Sequence, residues 1–92
     1  MSVEVRFFAN FREILGYKEI DVSVGTVREL LERLSDENKE LAEKLFKDKE
    51  KLELNKSVNI MVNGRSTEHL DGIDTELGEG DTVAVFPPVA GG

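Results

Sequence analysis

Val3, Val5 and Phe7 alternate with Glu4, Arg6 and Phe8 near the start of the chain, the period-two pattern of a strand with one face in a core. Phe11, Ile14 and Leu15 follow at helical spacing and run into Gly16, which predicts one short helical turn over Ala9 to Gly16. Alternation resumes from Tyr17 to Val24 through Ile20, Val22 and Val24. A second strand should therefore pair with the first as a long-looped hairpin. Thr26-Val27-Arg28-Glu29 reads as a capping box at a helix start. Val27, Leu30, Leu31 and Leu34 then fall at i, i+3, i+4 and i+7, one apolar stripe on the main helix. A second helical segment is expected from Glu37 to Lys47, with Leu41, Ala42, Leu45 and Phe46 on one side. The run Lys47-Asp48-Lys49-Glu50-Lys51 reads as a solvated connection.

Val58, Ile60 and Val62 alternate with Asn59 and Met61 up to Asn63-Gly64, a dipeptide suited to the positive φ of a tight turn. This predicts a third strand and a short return strand. Leu70, Ile73 and Leu77 lie among Asp71-Gly72 and Gly78-Glu79-Gly80-Asp81, which read as irregular turns plugging the sheet edge. Thr82 to Phe86 is the last strand. A right-handed crossover through the main helix brings that strand beside the first and parallel to it. The fold class is α+β: a β-grasp, with a mixed sheet, one main helix on one face, and the other face uncovered. Residues 1–86 form this domain and residues 87–92 an extended, flexible tail. With Val3, Val5, Phe7, Val58, Ile60, Val62, Val83 and Val85 turned to the helix, alternation sends Phe8, Met61, Ala84 and Phe86 to the bare face. That apolar patch adjoins the tail and suits a partner.

Composition narrows the chemistry. The 92 residues contain no cysteine, which excludes a disulfide scaffold, a thiol nucleophile and cysteine-based metal sites. A net charge of −7 argues against direct nucleic-acid binding, which needs a basic patch. Asp36 to Lys56 is nearly balanced, with seven acids and six bases, whereas Arg65 to Asp81 holds six acids and one base. The acidity thus gathers before the final strand, where it can solubilise a loop region or steer a basic partner. No apolar run approaches the roughly 20 residues of a bilayer span, and Met1-Ser2-Val3-Glu4 lacks the features of a leader. A cytoplasmic protein without membrane contact is expected, so Asn55-Lys56-Ser57 is read as a chance match to the glycosylation triplet.

Catalysis by this chain's own side chains has little support. His69 is the single histidine, and no serine or carboxylate pattern makes a triad with it. The acids from Asp71 to Asp81 miss the EF-hand spacing, in which glycine comes sixth, so no metal site is assigned. Gly78-x-Gly80 opens no helix after a strand and is not a phosphate loop. What remains is the tail. Pro87 and Pro88 cannot continue a ladder and project the chain in an extended form. Val89, Ala90, Gly91 and Gly92 then narrow to a terminus without side chains, able to enter a channel and to be approached from any direction.

With the strand order and Phe86-Pro87-Pro88-Val89-Ala90-Gly91-Gly92 in view, the chain resembles the small subunits of molybdopterin synthase, ubiquitin-like sulfur carriers of the MoaD/ThiS kind. Val5-Arg6-Phe7-Phe8-Ala9-Asn10-Phe11-Arg12-Glu13 is similar to that family's opening strand and turn. The resemblance implies that Gly92 is the reactive group. An E1-like adenylating enzyme, using ATP and Mg²⁺ that this chain does not bind, would activate the Gly92 carboxylate, and a persulfide would convert it to a thiocarboxylate. That group would donate sulfur in the large subunit's active site, building the dithiolene of the molybdenum cofactor. The catalytic residues are expected on those two partners. The resemblance also implies that Phe8, Phe86 and Met61 dock both partners in turn, and that Arg12 sits near the tail's base. The same activated tail would serve a ubiquitin-like modifier joined through Gly92 to lysines of target proteins, or a sulfur donor for tRNA thiolation. A plain β-grasp interaction domain, tolerant of any residue after Val89, is the third reading.

Overall fold

A computed structural model describes residues 2–56 and 58–87 of the chain. β1 (Ser2–Phe7) and β2 (Glu19–Ser23) pair antiparallel, joined by α1 (Ala9–Leu15), which closes on Gly16 at φ 81°. That left-handed conformation is one that glycine adopts without a Cβ penalty. α2 (Val27–Glu37) crosses to α3 (Lys39–Leu45). β3 (Phe46–Asp48) and β4 (Glu53–Leu54) make a small separate hairpin, followed by β5 (Asn59–Val62), β6 (Arg65–Ser66), two 3-10 turns over Thr67–His69 and Gly72–Asp74, and β7 (Thr82–Phe86). The main sheet runs β2-β1-β7-β5-β6, with β1 and β7 parallel and the other pairs antiparallel. This is the β-grasp arrangement.

Alternation along the strands sorts the residues as their pattern predicts. Val3, Val5, Phe7, Ile60, Val62, Val83 and Val85 are buried and join Val27, Leu30, Leu31 and Leu34 of α2 in one core. Each fully buried aliphatic or aromatic side chain contributes on the order of 1.5–3 kcal/mol relative to exposure, so this face supplies most of the domain's stability. Asn63 and Gly64 both take positive φ, 51° and 84°, as the tight turn between β5 and β6 requires.

The structure corrects several expectations. The second helical segment does not run to Lys47. Asn38 leaves helical geometry, and its side chain accepts from the Leu41 amide at 3.0 Å, so α3 begins afresh after a cap. Phe46 ends α3 in extended geometry and enters β3. The charged run after it is no plain connection, because Phe46 to Asp48 pairs with β4. The capping box is displaced by one residue: Thr26 Oγ1 accepts from the Glu29 amide at 3.2 Å, but the Glu29 carboxylate accepts from Gly25 at 3.4 Å. The turns around Leu70, Ile73 and Leu77 reach beyond the sheet edge. Val27 N–H donates to Thr75 C=O, and Leu77 N–H to Gly25 C=O, fastening that segment to the start of α2.

Candidate functional site

β1 and β7 run parallel with Phe7 opposite Val85, so Phe8 and Phe86 leave the two strands side by side on the bare face. Their rings stack, with centroids 4.4 Å apart and planes 12° apart. Both residues are half-buried. Phe8 is extended, at φ −127° and ψ 156°, and Ala9 then takes φ 51° to turn the chain into α1. Positive φ costs an alanine about 1–2 kcal/mol, so the surrounding fold holds this corner. One helical turn on, Arg12 lies with its guanidinium carbon 6.0 Å from the Phe8 ring centre, and its Nε donates a long 3.4 Å hydrogen bond to Phe7 C=O. No carboxylate lies within ion-pair distance of Arg12 among the described residues.

Phe8, Phe86 and Arg12 are thus brought together where β7 ends. Met61 stands on the same face, opposite Ala84 in the β5–β7 ladder, and is half-buried. Pro87, the first residue of the expected tail, is buried; Pro88, Val89, Ala90, Gly91 and Gly92 lie outside the described residues. Beside Phe8 a cavity of about 320 Å³ is lined by Arg6, Phe7, Phe8, Arg12, Lys18 and Glu19. The side chain of Glu4 bonds Arg6 at 2.6 Å and, with its charge, holds the Arg6 guanidinium proton more tightly than usual; Glu19 stands 3.8 Å from the same group. Arg6 is thus charge-paired, and Arg12 supplies the positive charge over Phe8.

The acids before the last strand lie elsewhere. Asp81 accepts from the Gly78 amide at 2.7 Å and from Asn63 Nδ2 at 3.0 Å, Glu79 accepts from the Ser2 amide, and Asp74 pairs with Arg28 at 2.8 Å. Asp81 precedes β7 and Phe86 ends it, about 16 Å apart at strand rise. These carboxylates hold turns together at the far end from the tail. His69 is exposed on its 3-10 turn. Sequence reasoning missed the corner at Ala9, because alanine carries no signal for positive φ. It also left out Arg6 and Lys18 as neighbours of Phe8, although alternation already placed Arg6 on the bare face.

Known proteins are similar to this chain over most or all of its length. The model of the ThiS family matches residues 5–92. The chain is 47% identical to small archaeal modifier protein 3 of Haloferax volcanii across 100% of both chains. It is 30% identical to the sulfur carrier protein CysO of Mycobacterium tuberculosis, over 84% of this chain and 83% of that one. A solved structure from Pyrococcus furiosus, provisionally assigned as molybdopterin converting factor subunit 1, superposes with a TM-score of 0.75 at 35% identity, covering 97% of this chain and 99% of the other. Among the described residues no helix is long and apolar enough to cross a membrane.

Proposed function

The chain belongs to the ThiS family, and on that premise we propose that it carries sulfur on its own C-terminus, as a Gly92 thiocarboxylate. The observation that supports this most is the placing of Phe8, Phe86 and Arg12 around the end of β7, immediately before Pro87 and the diglycine terminus. An enzyme that holds this apolar and cationic rim gains a fixed grip on the domain while the residues beyond enter its active site.

The chemistry at Gly92 follows from a carboxylate being a poor electrophile. In an E1-like enzyme, a Gly92 oxygen attacks the α-phosphorus of ATP and pyrophosphate leaves, the Mg²⁺ offsetting phosphate charge. The terminal sulfur of a persulfide then displaces AMP from the acyl-adenylate, giving an acyl disulfide. A second thiol attacks the donor's own sulfur in that link, the S–S bond breaks with the thiocarboxylate as leaving group, and the donor is left in a disulfide. The thiocarboxylate is the nucleophile delivered to an acceptor. In our reading the acceptor is the pterin precursor of the molybdenum cofactor, within a molybdopterin synthase large subunit, for which the likeness to the Pyrococcus furiosus structure is the support.

A second use of the same tail is favoured by the 47% identity to a small archaeal modifier protein. There the acyl-adenylate or its thio derivative is captured by a lysine amine of a target protein, giving an isopeptide bond at Gly92. Intact-mass measurement on protein from native cells tests the first reading. A fraction carrying one sulfur in place of oxygen is expected; free carboxylate alone, with activating enzyme and sulfur source supplied, overturns it. Lysate immunoblots test the second, which requires conjugates that disappear when Gly92 is deleted.

A further inference from the structure

The two edges of the main sheet are unequal. β6 closes one side with two residues, whereas β2 closes the other with five, Glu19–Ser23, and pairs with β1 alone among the described strands. Phe7 N–H donates to Lys18 C=O at 2.9 Å. In the β1–β2 register the hydrogen-bonded pairs are therefore Phe7 with Lys18, Val5 with Ile20 and Val3 with Val22. The N–H and C=O groups of Glu19, Asp21 and Ser23 point away from β1. None has a main-chain partner among the described residues, and all three residues are exposed.

This edge borders a groove. Ile20 and Val22 are half-buried on the helix side. Where the end of β2 meets α2, a cavity of about 340 Å³ is lined by Val24, Glu29, Glu32, Arg33, Asp36 and Glu37. Tyr17, just before β2, has its phenol pKa raised by burial first and then by the charge of Glu37 near the end of α2. Charge around the edge is lopsided. Glu19 and Asp21 flank it on the bare side and Glu29, Glu32, Asp36 and Glu37 on the helix side, against Arg33 and Lys18, with Arg6 already bonded to Glu4.

We propose that the β2 edge takes up an extended segment of a partner protein by strand addition, one with apolar residues at alternate positions and Lys or Arg between them. The free main-chain groups supply the ladder, and the apolar side chains cover Ile20 and Val22. The basic side chains fall on the other face of the added strand and pair across it with Glu19 and Asp21. A second copy of β2 fits badly, because it sets Glu19 and Asp21 against the same acids. The surface lies on the opposite side of β1 from β7 and involves neither Phe86 nor Met61. A segment held there leaves the tail free for its chemistry, and the inference does not depend on what Gly92 carries.

The test titrates the full chain, labelled with ¹⁵N, with an end-blocked peptide Lys-Val-Lys-Val-Lys-Ile-Lys. Shifts and slowed amide exchange are expected at Glu19, Asp21 and Ser23, with further shifts at Ile20 and Val22. Methylating the backbone nitrogens of one alternate set of peptide residues should weaken binding at least ~10-fold, and methylating the other set should not, since a strand pairs through one edge. The double variant Glu19→Lys/Asp21→Lys, folded by circular dichroism, should bind about tenfold more weakly. The proposal is overturned by absence of binding, by equal binding of a peptide with its lysines and apolar residues in separate blocks, by shifts centred on Phe8 and Phe86, or by β2 pairing with a second copy of the chain.

Discussion

Phe7 and Phe8 are consecutive, yet they belong to different enterprises. Phe7 is fully buried, edge-on to Tyr17 with ring centroids 5.8 Å apart, and is part of the core under α2. Phe8 stands on the opposite face, stacked on Phe86 and beneath Arg12 at the mouth of the tail. The same split runs through β7, where Val83 and Val85 are buried while Ala84 and Phe86 are not. Strand alternation thus assigns stability to one set of residues and, in the proposed function, recognition to their immediate neighbours, and the two can be mutated apart.

The sharpest way to break this comparison is to truncate both phenylalanines. Phe7→Ala should cost about 3–5 kcal/mol in chemical denaturation, the range for emptying a large core site. Phe8→Ala should cost far less; equal losses would mean that both rings serve the core. Next in size is the stacked pair. Phe86→Ala should lower stability by about 1 kcal/mol, much of it shared with Phe8 in a double-mutant cycle, yet weaken binding to the activating enzyme at least ~10-fold, as removal of a central aromatic anchor does. A variant that loses stability without losing affinity would move Phe86 out of the docking surface.

A smaller effect is expected at the corner between the two faces. Ala9→Gly removes the penalty of positive φ but adds the entropy of glycine in the unfolded chain, for a net gain of up to about 1 kcal/mol. Because Ala9 fixes the direction from Phe8 to Arg12, the same change should loosen the rim and weaken partner binding, a split that calorimetry of folding and of binding would reveal.

The faces were legible in the sequence because alternation over four to six residues has a single sensible reading once one side must be buried. The stripe of α2 was legible for the analogous helical reason. What escaped is short or special. Phe46 fits helical spacing with Ala42 as well as it fits a strand start, and two- or three-residue strands such as β3 and β4 are too brief for any period. Of the candidate site, Phe8, Met61 and Phe86 followed from alternation and Arg12 from resemblance alone. The stacking of Phe8 on Phe86 needed the parallel register of β1 and β7, which no local pattern encodes. The acids from Arg65 to Asp81 were visible as a cluster, but only the fold sets Asp74, Glu79 and Asp81 at the far end from Phe86.

That last separation gives the smallest and most selective prediction. The Gly78 amide first, and the Asn63 side chain second, donate to the ionised form of Asp81 and hold its pKa below the ordinary 3.8. A folded pKa below the unfolded one adds stability above pH ~4, and that stability fades as pH falls through the folded value. The carboxylate is near the surface, so water and salt screen the effect and keep it modest. Asp81→Ala should therefore lower stability slightly at neutral pH and flatten the acid limb of the stability curve, with little difference from the parent chain at the lowest pH. Since Asp81 and Phe86 occupy opposite ends of β7, the variant should bind the activating enzyme as the parent does. A loss of binding would show that the acidic end of the sheet takes part in docking, and the division of labour along β7 would have to be redrawn.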